Sequence, residues 1–246
     1  MKMTNKKALV LLSGGLDSTT VATMAVKEFS AENVVAATLF YGQKHSVELD
    51  AAKAVAEYLG IKKHYIRSLP EDIFRGFGST LVDADKPNPE VTYEELAKQQ
   101  GPSPTYVPFR NGNLLAVAAA LALVEDCEYL YYGAHAEDTG SFAYPDCTFE
   151  FNGAMATAIH IGTYGKVRML VPLQWMSKKE VVQKAIEVGA PIHLTHSCYN
   201  GTRPACGKCP TCISRIEAFK AAGYKDPIPY AIDPECGNVL KEVPVR

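Results

Sequence analysis

Apolar runs of strand length alternate along most of the chain with segments of helical periodicity. Residues 8–12 and 33–40 are almost wholly apolar, as strands buried on both faces of a sheet are. Between these two runs, Val21, Met24 and Ala25 share one face of a helix. The sequence therefore predicts a β-α-β unit with two parallel strands.

The alternation continues to about residue 190. We expect further strands at 63–67, 129–134 and 166–172, and further helices at 46–59, 114–124, 149–161 and 177–188. Ser177 and Glu180 stand at the N-cap and third positions of the last of these helices, which indicates a capping box. The pattern predicts an α/β fold, a Rossmann-like parallel sheet with helices on both faces. We expect residues 1–190 to form this nucleotide-binding domain and residues 191–246 to form a C-terminal appendage.

Residues 70–108 interrupt the alternation with six prolines and only a short helical patch at 93–98. A long irregular segment inside a compact domain is often a lid or a binding loop. We expect a mobile flap over the ligand crevice, with a plain surface excursion as the alternative.

Composition narrows the class of protein. The 246 residues suffice for one large domain, and a net charge of −2 with a pI near 6.3 argues against a general nucleic-acid binder. No apolar run approaches the 18 residues of a membrane span, and residues 1–7 offer no signal-peptide cleavage site. We expect a cytoplasmic protein that acts on a small molecule, and in that compartment its seven cysteines are metal ligands or free thiols.

The first segment with chemistry is Ser-Gly-Gly-Leu-Asp-Ser at 13–18, between the first strand and the first helix. Glycines let backbone N–H groups approach a ligand, and a helix N-terminus favours an anion such as phosphate. Asp17 fits such a place if it caps the helix or meets phosphate through Mg²⁺. The loop lacks the lysine of a Walker A loop, and an ordinary glycine-rich turn is the alternative.

Two further loops follow strands and should face the same crevice, because ligands of open α/β sheets bind beyond the carboxyl ends of the strands. Residues 41–45 include His45, which as a lone histidine can equally be a surface or capping residue. Residues 135–147 mix aromatic rings with carboxylates, which suits a flat heterocycle with N–H donors. Arg110 is an ion-pair partner or an anion clamp, and Lys178 in a first helical turn is solvated or holds an anion.

Four cysteines form the second chemical signal. Cys198, Cys206, Cys209 and Cys212 have the spacing Cys-x7-Cys-x2-Cys-x2-Cys. Four thiolates at such spacings suit one closed, structural Zn²⁺ site. An iron–sulfur cluster and redox dithiols are the alternatives.

These motifs resemble the PP-loop ATP pyrophosphatases and, within them, the 7-cyano-7-deazaguanine synthase branch. The resemblance covers nearly the whole chain and rests on Ser-Gly-Gly-Leu-Asp-Ser at 13–18, Tyr-Gly-Gln-Lys-His at 41–45 with Glu48, Val-Pro-Phe-Arg-Asn at 107–111, Tyr-Pro-Asp-Cys at 144–147, Ser-Lys-x-Glu at 177–180 and the cysteine cluster after Ser-Cys-Tyr-Asn. It implies an adenine nucleotide alpha hydrolase-like fold. It also implies a C–N bond-forming ligase that converts 7-carboxy-7-deazaguanine, ammonia and two ATP to the nitrile. Zn²⁺, Mg²⁺ and a homodimer are further implications.

Residue roles follow from the same resemblance. ATP is expected to contact residues 12–20, namely Leu12, Ser13, Gly14, Gly15, Leu16, Asp17, Ser18, Thr19 and Thr20. Catalysis is expected from Ser13, Asp17, Ser18, Arg110 and Lys178. The substrate is expected to contact Tyr41, Gln43, His45, Arg110, Tyr144, Asp146 and Glu150, with Asp146 as the first choice for the guanine edge.

The chain departs from the branch at several positions. The branch usually has glycine where Phe109 stands, and its segment corresponding to residues 138–143 is shorter. Three other functions stay open: a relative that stops at the amide, a PP-loop tRNA-modifying enzyme such as a thiolase or lysidine synthetase, and a non-catalytic nucleotide- or zinc-binding module.

Overall fold

A computed structural model of the chain describes residues 6–44, 47–83, 85–98, 101–136, 144–232 and 241–244. Their five strands form one parallel sheet in the order β3-β2-β1-β4-β5, which confirms the predicted α/β class. The strands are β1 (Ala8–Leu11), β2 (Val34–Phe40), β3 (Lys63–Ser68), β4 (Tyr129–Tyr131) and β5 (Arg168–Leu170). The helices are α1 (Leu16–Phe29), α2 (Val47–Tyr58), α3 (Tyr93–Ala97), α4 (Arg110–Val124), α5 (Phe149–Gly162), α6 (Lys178–Val188) and α7 (Pro210–Ala222). None of these described helices combines the length and apolar composition that crossing a bilayer requires.

The central strand β1 is buried on both faces, which explains its uninterrupted apolar sequence. Ala8 and Val10 pack into a layer that holds α1, α2 and α6. Leu9 and Leu11 point the other way, into a layer that holds α4 and α5. The core therefore lies in two layers, one on each side of the sheet.

The order of the strands places a crevice beside β1. The chain runs from β1 outward to β2 and β3, then crosses to the other side of β1 for β4 and β5. Ligands of such sheets bind at this reversal point, beyond the carboxyl ends of the two strands that flank it. The loop at 13–18 follows β1 and residues 132–134 follow β4, so both lie at the crevice.

Helix α4 begins at Arg110, four residues before the predicted start. The carboxylate Oδ2 of Asp146 accepts a hydrogen bond of 2.9 Å from the backbone N–H of Asn111, and so satisfies a donor in the first turn. Because this cap comes from 35 residues away, the sequence near the helix does not reveal it. Phe109, just before the helix, has a left-handed backbone (φ 50°), which accounts for the glycine that the resembling branch carries there.

Residues 70–108 pack against the rest of the protein. Phe74, Leu81 and Val107 form a buried cluster with Tyr41. The Asn88 side-chain amide donates to the backbone carbonyl of Tyr199 at 2.8 Å, which links the segment to the C-terminal part. The opening of this segment as a lid stays a prediction.

Helix α7 packs directly onto the sheet-bearing part of the chain. Ala218 and Phe219 of α7 join Leu16 of α1 and Val182 of α6 in one buried cluster. The division of the chain at residue 190 likewise stays a prediction.

Candidate active site

A cavity of about 270 Å³ opens at the carboxyl ends of β1, β2 and β4. Its wall comes from the loops after these strands, the first turn of α2, the segment 70–108 and the C-terminal part. It brings together ten residues that were predicted for catalysis, ATP or substrate: Leu12, Ser13, Gly15, Asp17, Ser18, Tyr41, Gln43, Arg110, Tyr144 and Lys178.

The loop at 13–18 is held in its shape by close contact with α2. Gly14 has φ +86°, and a Cβ atom there would lie 2.5 Å from the carbonyl oxygen of Glu48 and 2.6 Å from the backbone nitrogen of Ala52. Only glycine fits this place. The hydroxyls of Ser13 and Ser18 lie 3.0 Å apart, at the N-terminus of α1. Hydroxyls and helix N–H groups at one point make an anion site.

Asp17 is neutralised within the protein. The Lys178 Nζ lies 2.7 Å from both carboxylate oxygens of Asp17, and the His135 Nε2 lies 3.8 Å from its Oδ2. Burial opposes ionisation of Asp17, but the charges of Lys178 and His135 and the hydrogen bond from Lys178 outweigh it and hold the pKa of the carboxyl below its usual 3.8. The carboxylate is therefore compatible with a phosphate-binding loop.

The other end of the cavity is aromatic. Tyr41, Tyr93, Tyr144 and Tyr199 line it together with Arg110. The hydroxyls of Tyr93 and Tyr199 lie 2.9 Å apart, Tyr144 hydrogen-bonds to the Thr105 hydroxyl, and Arg110 Nη1 donates to the Tyr41 hydroxyl at 3.1 Å. The guanidinium of Arg110 also lies 5.1 Å from the centre of the Tyr41 ring. This end offers flat apolar faces beside one cation, a surface suited to a ring system that carries negative charge.

Asp146 and Glu150, both predicted to contact the substrate, do not line the cavity wall formed by the described residues. Asp146 is buried at the N-terminus of α4, where it accepts the hydrogen bond from Asn111, and it is absent from the cavity wall among the described residues. Glu150, in the first turn of α5, is exposed and also lies outside that wall. The geometry gives Asp146 a positioning role for α4 and Arg110.

Four of the predicted ATP contacts face the protein interior. Gly14 packs against α2, Leu16 belongs to the buried cluster with α7, and Thr20 donates to the Leu16 carbonyl at 2.8 Å. Thr19 is fully buried as well. These residues stabilise the loop and the start of α1 from the side that faces away from the cavity. His45 lies outside the described residues.

The four cysteines meet in one buried cluster. The Sγ atoms of Cys198, Cys206, Cys209 and Cys212 all lie within 4.8 Å of one another, and those of Cys206 and Cys212 are 3.9 Å apart. Tetrahedral Zn–S bonds of about 2.3 Å place sulfurs about 3.8 Å apart. The cluster therefore fits a metal ion such as zinc, with no position left for a substrate.

A short segment joins the cysteine cluster to the phosphate-binding loop. The backbone N–H of His196, two residues before Cys198, donates to the Gly14 carbonyl at 2.9 Å. Beneath it, Arg215 is almost fully buried and donates to Thr195 at 2.7 Å and to both carboxylate oxygens of Asp226 at 2.6 and 3.0 Å. The segment 195–198 thus connects the cysteine cluster directly to the loop at 13–18.

Several residues that line the cavity were not predicted from the sequence to have a catalytic or binding role. Glu48, Tyr93, His196, Tyr199 and Arg215 all line the wall. Of these residues, Glu48 was the easiest to find from the sequence, since it lies three residues after the 41–45 motif and is part of the resemblance. Arg215 offers a weaker signal, because it follows the last cysteine by three residues.

A parallel sheet of order 3-2-1-4-5, whose first strand leads into a Ser-Gly-Gly-x-Asp-Ser loop, defines a PP-loop nucleotide-binding fold. The U34-tRNA thiolase NcsA from Methanococcus maripaludis, with its [4Fe-4S] cluster, has a similar fold, with a TM-score of 0.50 at 18% identity over 89% of this chain and 64% of that one. The model of the family described as queuosine biosynthesis protein QueC matches residues 7–223. The chain belongs to the QueC family.

Named relatives agree with this assignment. The 7-cyano-7-deazaguanine synthase of Koribacter versatilis is 45% identical over 228 residues, which cover 92% of this chain and 93% of the relative. That of Persephonella marina is 39% identical over 226 residues, covering 89% and 94% of the two chains. The predicted family is confirmed, and the chain is an enzyme, a ligase of this type involved in queuosine biosynthesis.

Proposed function

We propose that this protein makes 7-cyano-7-deazaguanine from 7-carboxy-7-deazaguanine, ammonia and two molecules of ATP, releasing AMP and pyrophosphate twice. The observation that carries the proposal is the joining of a phosphate-binding loop and a tyrosine-lined end in one cavity. Family membership supports it, since relatives of 39–45% identity are named for this product.

The reaction needs two activations of oxygen. A carboxylate is inert to ammonia, so its oxygen first attacks the α-phosphorus of ATP, which releases pyrophosphate and leaves an acyl adenylate. Ammonia adds to the carbonyl carbon and expels AMP, giving the amide. The amide oxygen then attacks the α-phosphorus of a second ATP, which releases a second pyrophosphate. Loss of AMP from the carbon and of the protons from the nitrogen leaves the nitrile.

The chain's own residues supply position and charge in this scheme. N–H groups of the loop at 13–18 and the hydroxyls of Ser13 and Ser18 hold the departing pyrophosphate, assisted by Lys178. Arg110 lies at the tyrosine-lined end, where it attracts the anionic group of the base. No covalent nucleophile is required, so catalysis is mainly positioning and stabilisation of charge.

Two ions complete the proposal. Mg²⁺ favours phosphate and carboxylate oxygens, and Asp17 is the loop's carboxylate. Zn²⁺, when bound by Cys198, Cys206, Cys209 and Cys212, supplies a structural crosslink rather than chemistry. We further propose a cytoplasmic location, in keeping with four reduced cysteines.

The proposed assembly is a homodimer. Helix α4 has no charged residue between Leu114 and Val124, and Val124 and Ile161, of α4 and α5, are 77% and 73% exposed. Uncharged helix faces of this kind favour burial against a second copy. Light scattering after size exclusion tests the assembly, and a monomer at micromolar concentration contradicts it.

One experiment tests the reaction against its alternatives. The protein is incubated with ATP, ammonium and 7-carboxy-7-deazaguanine, and the products are identified by mass. We expect the nitrile with two AMP per product, and nitrile also from the amide with ATP and no ammonium. An inert amide with consumption of the acid indicates an amide synthetase, and no AMP at all contradicts a ligase acting on this base.

A further inference from the structure

Glu48 differs from the other polar groups at the tyrosine-lined end. The hydroxyls there are paired: Tyr93 with Tyr199, Tyr144 with Thr105, and Tyr41 with Arg110. The Glu48 carboxylate, by contrast, belongs to none of these pairs, although Glu48 lines the same cavity wall. A carboxylate beside the aromatic rings at this end of the cavity needs donors to offset its lost hydration.

The place of Glu48 is fixed by its backbone. It lies in the first turn of α2, and its carbonyl oxygen packs against Gly14 of the phosphate-binding loop. Its surroundings raise the pKa of Glu48 to about 7, chiefly through burial, which the charges of Arg110 and His196 oppose. The side chain is thus half-buried, close to the positive charge of Arg110, and held on a helix that contacts the loop.

We propose that Glu48 recognises a guanine-type base by accepting hydrogen bonds from its ring N–H and its exocyclic amino group. These two neighbouring donors match the two oxygens of one carboxylate. The tyrosine rings supply flat faces for the base, and Arg110 attracts its anionic substituent. The inference rests on the proposed function. It assigns recognition of the base to Glu48 instead of Asp146 or Glu150, which lie off the cavity wall.

The test compares two ligands in binding to parent and Glu48→Gln proteins without ATP, by calorimetry. The ligands are 7-carboxy-7-deazaguanine and the same compound without its amino group. In the parent protein we expect the loss of the amino group to weaken binding about ten- to hundred-fold. In Glu48→Gln we expect weaker binding of the full base by a similar factor, and a difference between the two ligands of less than about threefold.

Control variants separate recognition from folding. Glu150→Gln removes an exposed carboxylate outside the cavity wall and should bind both ligands as the parent does. Glu48→Asp keeps the charge and should retain part of the discrimination if the glutamine variant folds poorly. The KM for ATP and the metal content should be unchanged in all three variants.

The outcomes distinguish this inference from the proposed function. If the parent prefers the full base and Glu48→Gln and Glu48→Asp prefer it equally strongly, Glu48 does not read the amino group and the inference is wrong. If the parent binds neither ligand and forms no AMP with the acid, the proposed function fails, and the inference fails with it.

Discussion

Lys178 and Asp17 lie 161 residues apart in the chain, yet the Lys178 ammonium is 2.7 Å from both carboxylate oxygens of Asp17. The pair closes one side of the cavity, and both side chains are more than two-thirds buried. It explains how a loop that binds phosphate tolerates a carboxylate. It also ties the first turn of α6 to the first turn of α1, so the ion pair has both a structural and an electrostatic role.

Breaking this pair should destabilise the fold. Lys178→Met leaves a partly buried carboxylate without its cation, and we expect a loss of about 2 kcal/mol of unfolding free energy in urea. The double variant Asp17→Asn/Lys178→Met should lose clearly less than the sum of the two single variants. Additive losses contradict a direct interaction between the two side chains.

The pH dependence of this effect has a defined sign. The pKa of Asp17 is lower in the folded protein than its usual 3.8, so the pair adds stability above that pH and loses it only as pH falls further. The gap between parent and Asp17→Asn, which removes the titrating group, should therefore be equal at pH 5 and pH 7. A gap that narrows between these two values contradicts the lowered pKa.

Lys178 should also be needed for turnover. Its ammonium contacts Asp17 of the loop that we propose to hold the departing pyrophosphate, and removal of such a charge typically slows a reaction about a hundred- to a thousandfold. We expect AMP formation by Lys178→Met to fall by this factor. The neighbouring Lys179 is exposed, so Lys179→Met is a matched control that should keep the parent rate.

The local parts of the site were predictable from the sequence, whereas its assembly was not. The strand, loop and helix at 8–29 and the four cysteines are signals within short segments, and each lies as expected. The role of Asp146 depends on where the N-terminus of α4 packs, and that of Glu48 depends on which side of α2 faces the cavity. Both residues are carboxylates beside recognisable motifs, so only the packing of the helices tells the helix cap from the cavity wall.

Asp146 provides a direct check on that distinction. Because its carboxylate accepts the Asn111 N–H in the first turn of α4, Asp146→Ala should lower the unfolding free energy by about 1 to 2 kcal/mol. Asp146→Asn keeps an acceptor oxygen and should lose less, and the exposed Glu150→Ala should change stability by under about 0.5 kcal/mol. Unchanged stability of Asp146→Ala, with a tenfold higher KM for the base, would instead support the predicted role of Asp146 in substrate binding.

The cysteine cluster should be needed for the fold rather than for the reaction step. Cys209→Ser should abolish bound metal and lower the melting temperature strongly, because metal affinity is folding free energy in a closed site. Cys127→Ala alters a buried cysteine outside the cluster and should keep one zinc per chain by elemental analysis. Iron with visible absorption in place of zinc would instead indicate an iron–sulfur cluster. A folded, fully active and metal-free Cys209→Ser protein contradicts a structural site.

The two glycines of the loop at 13–18 should respond very differently to a methyl group. In Gly14→Ala the new Cβ would lie 2.5 Å from the Glu48 carbonyl oxygen, on a backbone with φ +86°, and neither the loop nor α2 can yield without distorting the other. We expect a loss of about 2 to 4 kcal/mol in urea unfolding, together with loss of ATP binding. Gly15→Ala places its Cβ no closer than 3.5 Å to any neighbour, on a backbone with φ −78°, so it should cost about 1 kcal/mol or less. Equal stability of the two variants would mean that the loop does not pack against α2 as described, and would remove the structural reason for the first glycine.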